Sequence, residues 1–270
     1  MSLRSIKKNW EGLAGKDPFW AICTHPGKKG GKWNEKDFFQ TGETEINRLF
    51  DYLKSRQIKP PDNELVLEFG CGVGRLLRAL YPHFHSLCGV DVSRTMIEKA
   101  EALNREYLDK ISFQTLQNSP GSLFDPGSVS LVISLIVFQH IPQNHSSRYM
   151  AELLQLLKPE GIFIFQLITK DVRSLKWVKK IRSFIRIRER LAMLGIGDHF
   201  QMEMHVLDKL KVCQMIRENG AEILDICITN HSDPAYDGNL KFIDEKDSID
   251  YVSTLFIVRK IAGESSNIED

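Results

Sequence analysis

The stretch LVLEFGCGVGRL, residues 65–76, is an apolar run that meets an acid, Glu68, and then opens into three glycines spaced two apart, Gly70, Gly72 and Gly74. This pattern predicts a buried strand feeding a tight turn. Glycines at such a turn let the backbone take positive φ and let another group approach where a Cβ would stand in the way.

Working outward, short apolar runs alternate with segments of helical period. The strands predicted are 64–69, 86–92, 111–116, 129–136 and 161–168, near-continuous in Val, Ile, Leu and Phe as strands covered on both faces are. Between them, Val73 to Tyr81 reads as a helix stopped by Pro82. Ser93 reads as the N-cap of a helix with Met96, Ile97, Ala100, Leu103 and Tyr107 on one face. A third helix, 144–157, ends before Pro159 and Gly161. Five alternations imply an α/β fold, a doubly wound and mostly parallel sheet with its ligand site at the carboxyl ends of the strands. A helix at 206–219, a strand at 222–229, a polar loop and a strand at 251–260 follow, and this order predicts a C-terminal antiparallel hairpin and seven strands in all.

Two segments lie outside the alternation. Residues 1–61 hold Trp10, Trp20 and Trp33 and read as a helical, aromatic arm or a lid, with Gly27 to Gly31 as its flexible loop. Residues 170–205 are an insertion in a main domain of 62–262, and 263–270 read as a disordered tail.

Composition narrows the function. The chain has 270 residues, enough for one α/β domain with additions. Its 36 Lys and Arg nearly cancel 35 Asp and Glu, leaving a net charge of +1 and no global field toward nucleic acid or membrane. The five cysteines, Cys23, Cys71, Cys88, Cys213 and Cys227, form no CxxC pair, and the odd count fits a reducing, cytoplasmic setting. The N-terminus lacks the apolar core of a signal peptide, and the most apolar stretch, Val129 to Ile141, is too short to span a bilayer. No HExxH, paired CxxC or Asp-rich loop is present, so no metal is expected.

The glycine spacing is GxGxG, with Arg75 where the dinucleotide fingerprint GxGxxG has its third glycine. Glu68, at the end of a buried strand, suits a ligand carrying an ammonium or sulfonium. In LCGVDVS, Asp91 stands at the carboxyl end of the second strand, about 20 residues beyond the glycines, where an acid accepts hydrogen bonds from both hydroxyls of a ribose. A ribose and a cation without phosphates describe S-adenosylmethionine.

At this point the chain resembles the class I S-adenosylmethionine-dependent methyltransferases, over residues 62–168 and more weakly to 260. Glu68 and the glycines match that family's first motif, GVDVSRTMIEKA its second, and LVISLIVFQHIP and LLKPEGIFIFQ its fourth-strand and fifth-strand segments. The resemblance implies that Glu68 and the turn Gly70, Cys71, Gly72 and Gly74 hold the methionine moiety, that Asp91 holds the ribose and that Val92 and Met96 line the adenine. It places Ser134 and Leu135 beside the sulfonium. Where family members commonly place an Asp to accept the adenine amino group, this chain has Gln117, Asn118 and Ser119, and an amide oxygen of Gln117 or Asn118 can accept the same bond.

A hydroxyl or ammonium acceptor needs a base, and His140 in FQHIP is the first candidate, with the ordering of a loop as its structural alternative. Trp33, His199 and His205 are candidates to face the substrate. Between Arg173 and Arg190 eight residues are basic and only Glu189 is acidic, with Leu175, Val178, Ile181 and Ile185 at helical spacing. This segment reads either as a peripheral contact with an anionic membrane or a phosphate-bearing substrate, or as a solvated surface helix.

The expected function is therefore methyl transfer to O or N of a small-molecule or lipid-linked acceptor. A non-catalytic cofactor-binding scaffold is the alternative, supported by the missing acid at 117–119. An RNA methyltransferase is disfavoured by balanced charge and by SLIVFQHIP in place of an Asn/Asp-Pro-Pro-aromatic motif, and a nicotinamide enzyme by the GxGxG spacing.

Overall fold

The computed structural model describes residues 3–61, 64–173 and 202–262. Its sheet has eight strands: β1 Leu65–Phe69, β2 Ser86–Asp91, β3 Ile111–Thr115, β4 Val129–Ser134, β5 Leu157–Asp171, β6 Ala221–Thr229, β7 Phe242–Ile243 and β8 Tyr251–Lys260. They lie in the order β3-β2-β1-β4-β5-β8-β6-β7, with β1 to β5 parallel and β6 to β8 antiparallel. The order reverses at β1/β4, so the carboxyl ends of these two strands flank the crevice where doubly wound sheets bind ligands.

Seven strands fall where expected, and β7 is the addition. It is a two-residue edge strand on β6, Ile228 opposite Ile243 and Thr229 opposite Phe242. Two residues carry no readable period. The last pairing also differs from a simple hairpin, because β8 inserts between β5 and β6 and binds both.

Alternation along β1 shows how both faces are filled. Val66 packs with Ile46, Leu49, Leu76 and Leu77, while Leu67 and Phe69 join Phe138, Tyr149, Phe163 and Phe165 on the other face. The first group belongs to helices α3 (Glu35–Ser55) and α4 (Arg75–Leu80), and α6 (Gln143–Leu156) covers the second. Near β6 lies α7 (Lys209–Glu218), which starts later than the 206–219 pattern predicts. Asp208 caps it by accepting from the Lys211 N–H at 3.0 Å, and Val206 before it bridges Ile168 of β5. Likewise β5 starts at Leu157, with the left-handed Glu160 absorbing the irregularity that Pro159 and Gly161 announce. All five cysteines are free. No helix among the described residues is long and apolar enough to cross a membrane.

The N-terminal segment folds onto the domain as α1 (Leu3–Lys16), α2 (Pro18–Ile22) and α3. Asp17 caps α2 through the Trp20 N–H and also accepts from Gly30 N at 2.8 Å and Gly31 N at 2.9 Å, which ties the glycine loop back to the helix. A Cβ on Gly42 would run into the Arg75 carbonyl, so α3 lies directly against the start of α4. The basic segment 174–190, His199 and the tail 263–270 lie outside the described residues.

Candidate functional site

Strand β1 delivers Glu68 to the floor of a cavity of about 350 Å³, within the range of small-molecule sites, and the chain then turns through Gly70, Gly72 and Gly74, all at positive φ. Val90 of β2 holds this turn by accepting from Gly70 N at 2.7 Å and Cys71 N at 3.0 Å. A Cβ on Gly72 would lie 2.5 Å from Ile22 of α2, so only glycine keeps the cradle open between turn and arm. Gly74 stands outside the lining as the left-handed N-cap of α4 (φ 79°), which explains the third glycine by helix geometry.

Asp91 ends β2 at the cavity wall. Its carboxylate accepts from Gly72 N at 3.0 Å and Ser93 N at 2.8 Å, one bond per oxygen, which leaves each oxygen a further lone pair. Burial pushes its pKa up to about 6 against the opposing pull of those N–H groups, with the nearby Glu11 carboxylate adding to the rise. Val92 and Met96 line the wall beside it, with Leu116, Gln117 and Asn118 opposite.

Glu68 is 4% exposed, and its Oε2 has no hydrogen-bond partner among the described residues. Burial drives its pKa well above the carboxylate range, with Arg75 opposing and Glu45 reinforcing the rise. An unsatisfied buried carboxyl is costly. A cationic amine placed against it would favour its charged form. The unpartnered Oε2 of Glu68, the glycine cradle and the free lone pairs of Asp91 fit S-adenosylmethionine. Cys71 lines the same turn, but burial raises its thiol well above the ordinary range, so it is no thiolate nucleophile.

The arm forms the other wall. Helix α1 contributes Leu3, Ile6, Lys7 and Trp10, and the Trp10 ring meets the His140 ring edge-on at 5.3 Å. The next residue, Glu11, caps helix α5 (Arg94–Leu103), accepting from Arg94 N at 2.8 Å, Thr95 N at 3.1 Å and Ser93 Oγ at 2.9 Å. The arm is thus latched to the turn that carries Asp91. Glu11→Ala is expected to weaken this latch by about 1–2 kcal/mol, the loss typical of a helix cap. Amide exchange across residues 3–16 should accelerate while β1 and β4 keep their protection. Unchanged exchange in α1 would mean the latch contributes nothing.

Of the remaining expected residues, Leu135 lines the cavity. Ser134 does not, and its hydroxyl instead donates to Phe69 O at 2.9 Å, stapling β4 to β1 beneath the site. Trp33 is also outside the lining; its indole N–H donates to Cys23 O at 3.1 Å, a packing role inside the arm. His205 is outside the lining, its backbone N–H donating to Gln139 O at 2.8 Å. His140 lines the cavity with both ring nitrogens engaged, Nδ1 with Glu203 O at 2.9 Å and Nε2 with the Gln139 amide at 3.1 Å, and burial lowers its pKa to about 4. Sequence reasoning missed Trp10, Tyr149 and the left-handed Ile136 (φ 62°). The spacing of Leu3, Ile6, Trp10 and Leu13 is the signal that points Trp10 inward.

Residues 37–226 match a family described as a methyltransferase domain. Over 117 residues, 39% of this chain, a highly reducing polyketide synthase of Calcarisporium arbuscula is 34% identical, but that match spans 4% of the synthase. The ubiquinone biosynthesis O-methyltransferase of Pelagibacter ubique is 27% identical over 153 residues, which make up 57% of this chain and 60% of that protein. Thus the chain spans less than two thirds of either relative. The crystal structure of magnesium protoporphyrin IX methyltransferase from Synechocystis PCC 6803 with bound S-adenosylhomocysteine superposes with a TM-score of 0.61 at 18% identity, covering 96% of this chain and all of that one. With the family model spanning most of the described domain and the same sheet in a solved methyltransferase, the chain belongs to the class I S-adenosylmethionine-dependent methyltransferases.

Proposed function

We propose that this chain transfers a methyl group from S-adenosylmethionine to an oxygen or nitrogen of a small-molecule or lipid-linked acceptor. The observation that carries the reading is the buried Glu68 carboxyl, its Oε2 without a hydrogen-bond partner among the described residues, in one cavity with the glycine turn and Asp91. The chemistry supplied by S-adenosylmethionine when bound is a methyl group on a sulfonium, open to in-line displacement by a lone pair. Glu68 and the turn would hold the amino-acid end, Asp91 the ribose, and Val92, Met96, Gln117 and Asn118 the adenine. Leu135 and His140 would wall the acceptor side, and α1 would exclude water by covering it. Positioning of this kind supplies much of the acceleration of a displacement reaction, on the order of 7–11 kcal/mol in the best oriented cases.

A small acceptor is supported by the cavity's volume of about 350 Å³ and by the arm that lines it. The names of the relatives, a ubiquinone-pathway and a protoporphyrin methyltransferase, point the same way. The test is incubation with methyl-labelled S-adenosylmethionine and a panel of ring phenols, porphyrin carboxylates and apolar amines. Label should move to at least one acceptor, with S-adenosylhomocysteine formed in equal amount. S-adenosylhomocysteine binding with no transfer to any class would favour the scaffold reading, and no binding at all would sink both.

A further inference from the structure

Behind the acceptor wall runs a chain of buried amides whose polarity can be deduced from one end. It starts at Ile136, a β-branched residue held left-handed at φ 62°, a strained conformation that persists only where the surroundings enforce it. The Ile136 N–H can only donate, and it meets Gln166 Oε1 at 3.0 Å. Gln166, fully buried on β5, must therefore direct its Nε2 the other way, to Gln139 Oε1 at 3.1 Å and Ser253 Oγ at 2.9 Å. Gln139 Oε1 also accepts from Ser232 Oγ at 3.1 Å, so its Nε2 is left to face His140 Nε2 at 3.1 Å. An amide nitrogen only donates. His140 Nε2 must then be the lone-pair nitrogen and Nδ1 the protonated one, and Nδ1 accordingly meets a carbonyl, Glu203 O, at 2.9 Å.

We propose that Gln166 is a positioning residue for methyl transfer: anchored on the Ile136 N–H, it orients Gln139 and so locks His140 in the neutral Nδ1–H form, a rigid wall of the acceptor site with no lone pair left to take a proton. The proposal rests on the methyltransferase reading for its consequence, since an acceptor that loses a proton must pass it to a group other than His140. The tautomer itself does not depend on that reading. Of the other groups around the ring, Trp10 is uncharged, and His205 adds repulsion against a positive charge.

The test is a long-range proton–nitrogen spectrum of the full chain labelled with ¹⁵N-histidine, the His140 signals being assigned by their loss in His140→Asn. In the wild type His140 should show the Nδ1–H pattern at neutral pH. Gln166→Glu keeps an acceptor for Ile136 but has nothing to donate to Gln139. The Gln139 amide should turn over, present its oxygen to His140 Nε2 and place a proton there. Gln166→Met, which removes both functions, should leave a mixture of tautomers. A wild-type Nε2–H pattern, or an unchanged His140 spectrum in Gln166→Glu, would overturn the proposal. Calorimetric titration of the same samples with S-adenosylhomocysteine reports separately: binding lost in the wild type would remove the methyltransferase reading and leave the tautomer result standing.

Discussion

Replacing Arg75 by methionine is expected to destabilise the chain by about 3–5 kcal/mol, the range for breaking a buried ion pair from one side. A fall in Tm on the order of 10 °C should accompany it. Arg75 is 3% exposed, and its Nη2 lies 2.6 Å from Oε2 of Glu45, itself fully buried in α3. Burial alone would make Glu45 a weaker acid, but the guanidinium and the His231 Nε2, 2.9 Å away, bring its pKa down to about 2. Without the arginine that buried carboxylate loses its guanidinium and keeps the His231 ring. Because the folded pKa lies below the usual one, the pair's contribution is complete above about pH 4.5 and is lost as pH falls toward 2. Thermal unfolding at pH 7 should therefore separate the two proteins widely, and at pH 3 the gap should shrink. The double variant Arg75→Met with Glu45→Met, which removes both charges, should recover much of the loss. A single variant as stable as the wild type would show that the pair contributes nothing to the fold.

This pair marks the limit of what was legible in the sequence. Arg75 stood out only as the residue that breaks the GxGxxG spacing. That it reaches Glu45, 30 positions earlier, depends on the contact between α3 and α4 at Gly42, and no local pattern announces that contact. Strands β1, β4 and β8 and the centre of β5 were legible because they are buried on both faces, and a continuous run of Val, Ile, Leu and Phe has no other soluble use, whereas β3 buries Ile111 and Phe113 and exposes Ser112 and Gln114. The glycine turn and the place of Asp91 at the end of β2 were legible because positive φ admits few residue types and an acid closing a buried strand stands out. Ser134 shows the converse. Its place at the end of β4 was read correctly, but its hydroxyl has two destinations, the cavity or the neighbouring carbonyl, and only the fold selects Phe69 O. Trp33 misled for a similar reason, since an indole needs a partner for its N–H and a backbone carbonyl within the arm serves as well as a ligand.

The second large effect concerns Asp91 and acid. Its pKa in the free protein is raised to about 6, chiefly by burial. A carboxyl whose folded pKa exceeds its unfolded value favours the fold most below about pH 4, and that contribution is lost as pH rises through 6. Ligand binding runs the other way. Ribose hydroxyls donate, and they are held best by the ionised carboxylate, whose oxygens already take one N–H each from Gly72 and Ser93 and have one lone pair apiece to spare. Affinity for S-adenosylhomocysteine should therefore be flat between pH 8 and 7 and fall about tenfold per unit below pH 6, within the range where the ligand's own amine and carboxyl keep their charges. Asp91→Asn keeps one acceptor and the shape, so it should bind about 10–100-fold more weakly at pH 8, the worth of a charge-assisted hydrogen bond, and lose the acid dependence. Asp91→Ala also frees the Gly72 N–H that shapes the turn, and its loss should be greater still. Glu11 and the buried Glu68 are the acidic neighbours that could imitate this profile, and Glu11→Gln and Glu68→Gln separate them from Asp91, because the first should lower the midpoint slightly and both should keep the Asp91 slope. Calorimetric titration at pH 8, 7, 6 and 5 decides the matter: a flat profile in the wild type, or the same slope in Asp91→Asn, would remove Asp91 from the ribose and leave it a turn-forming residue only.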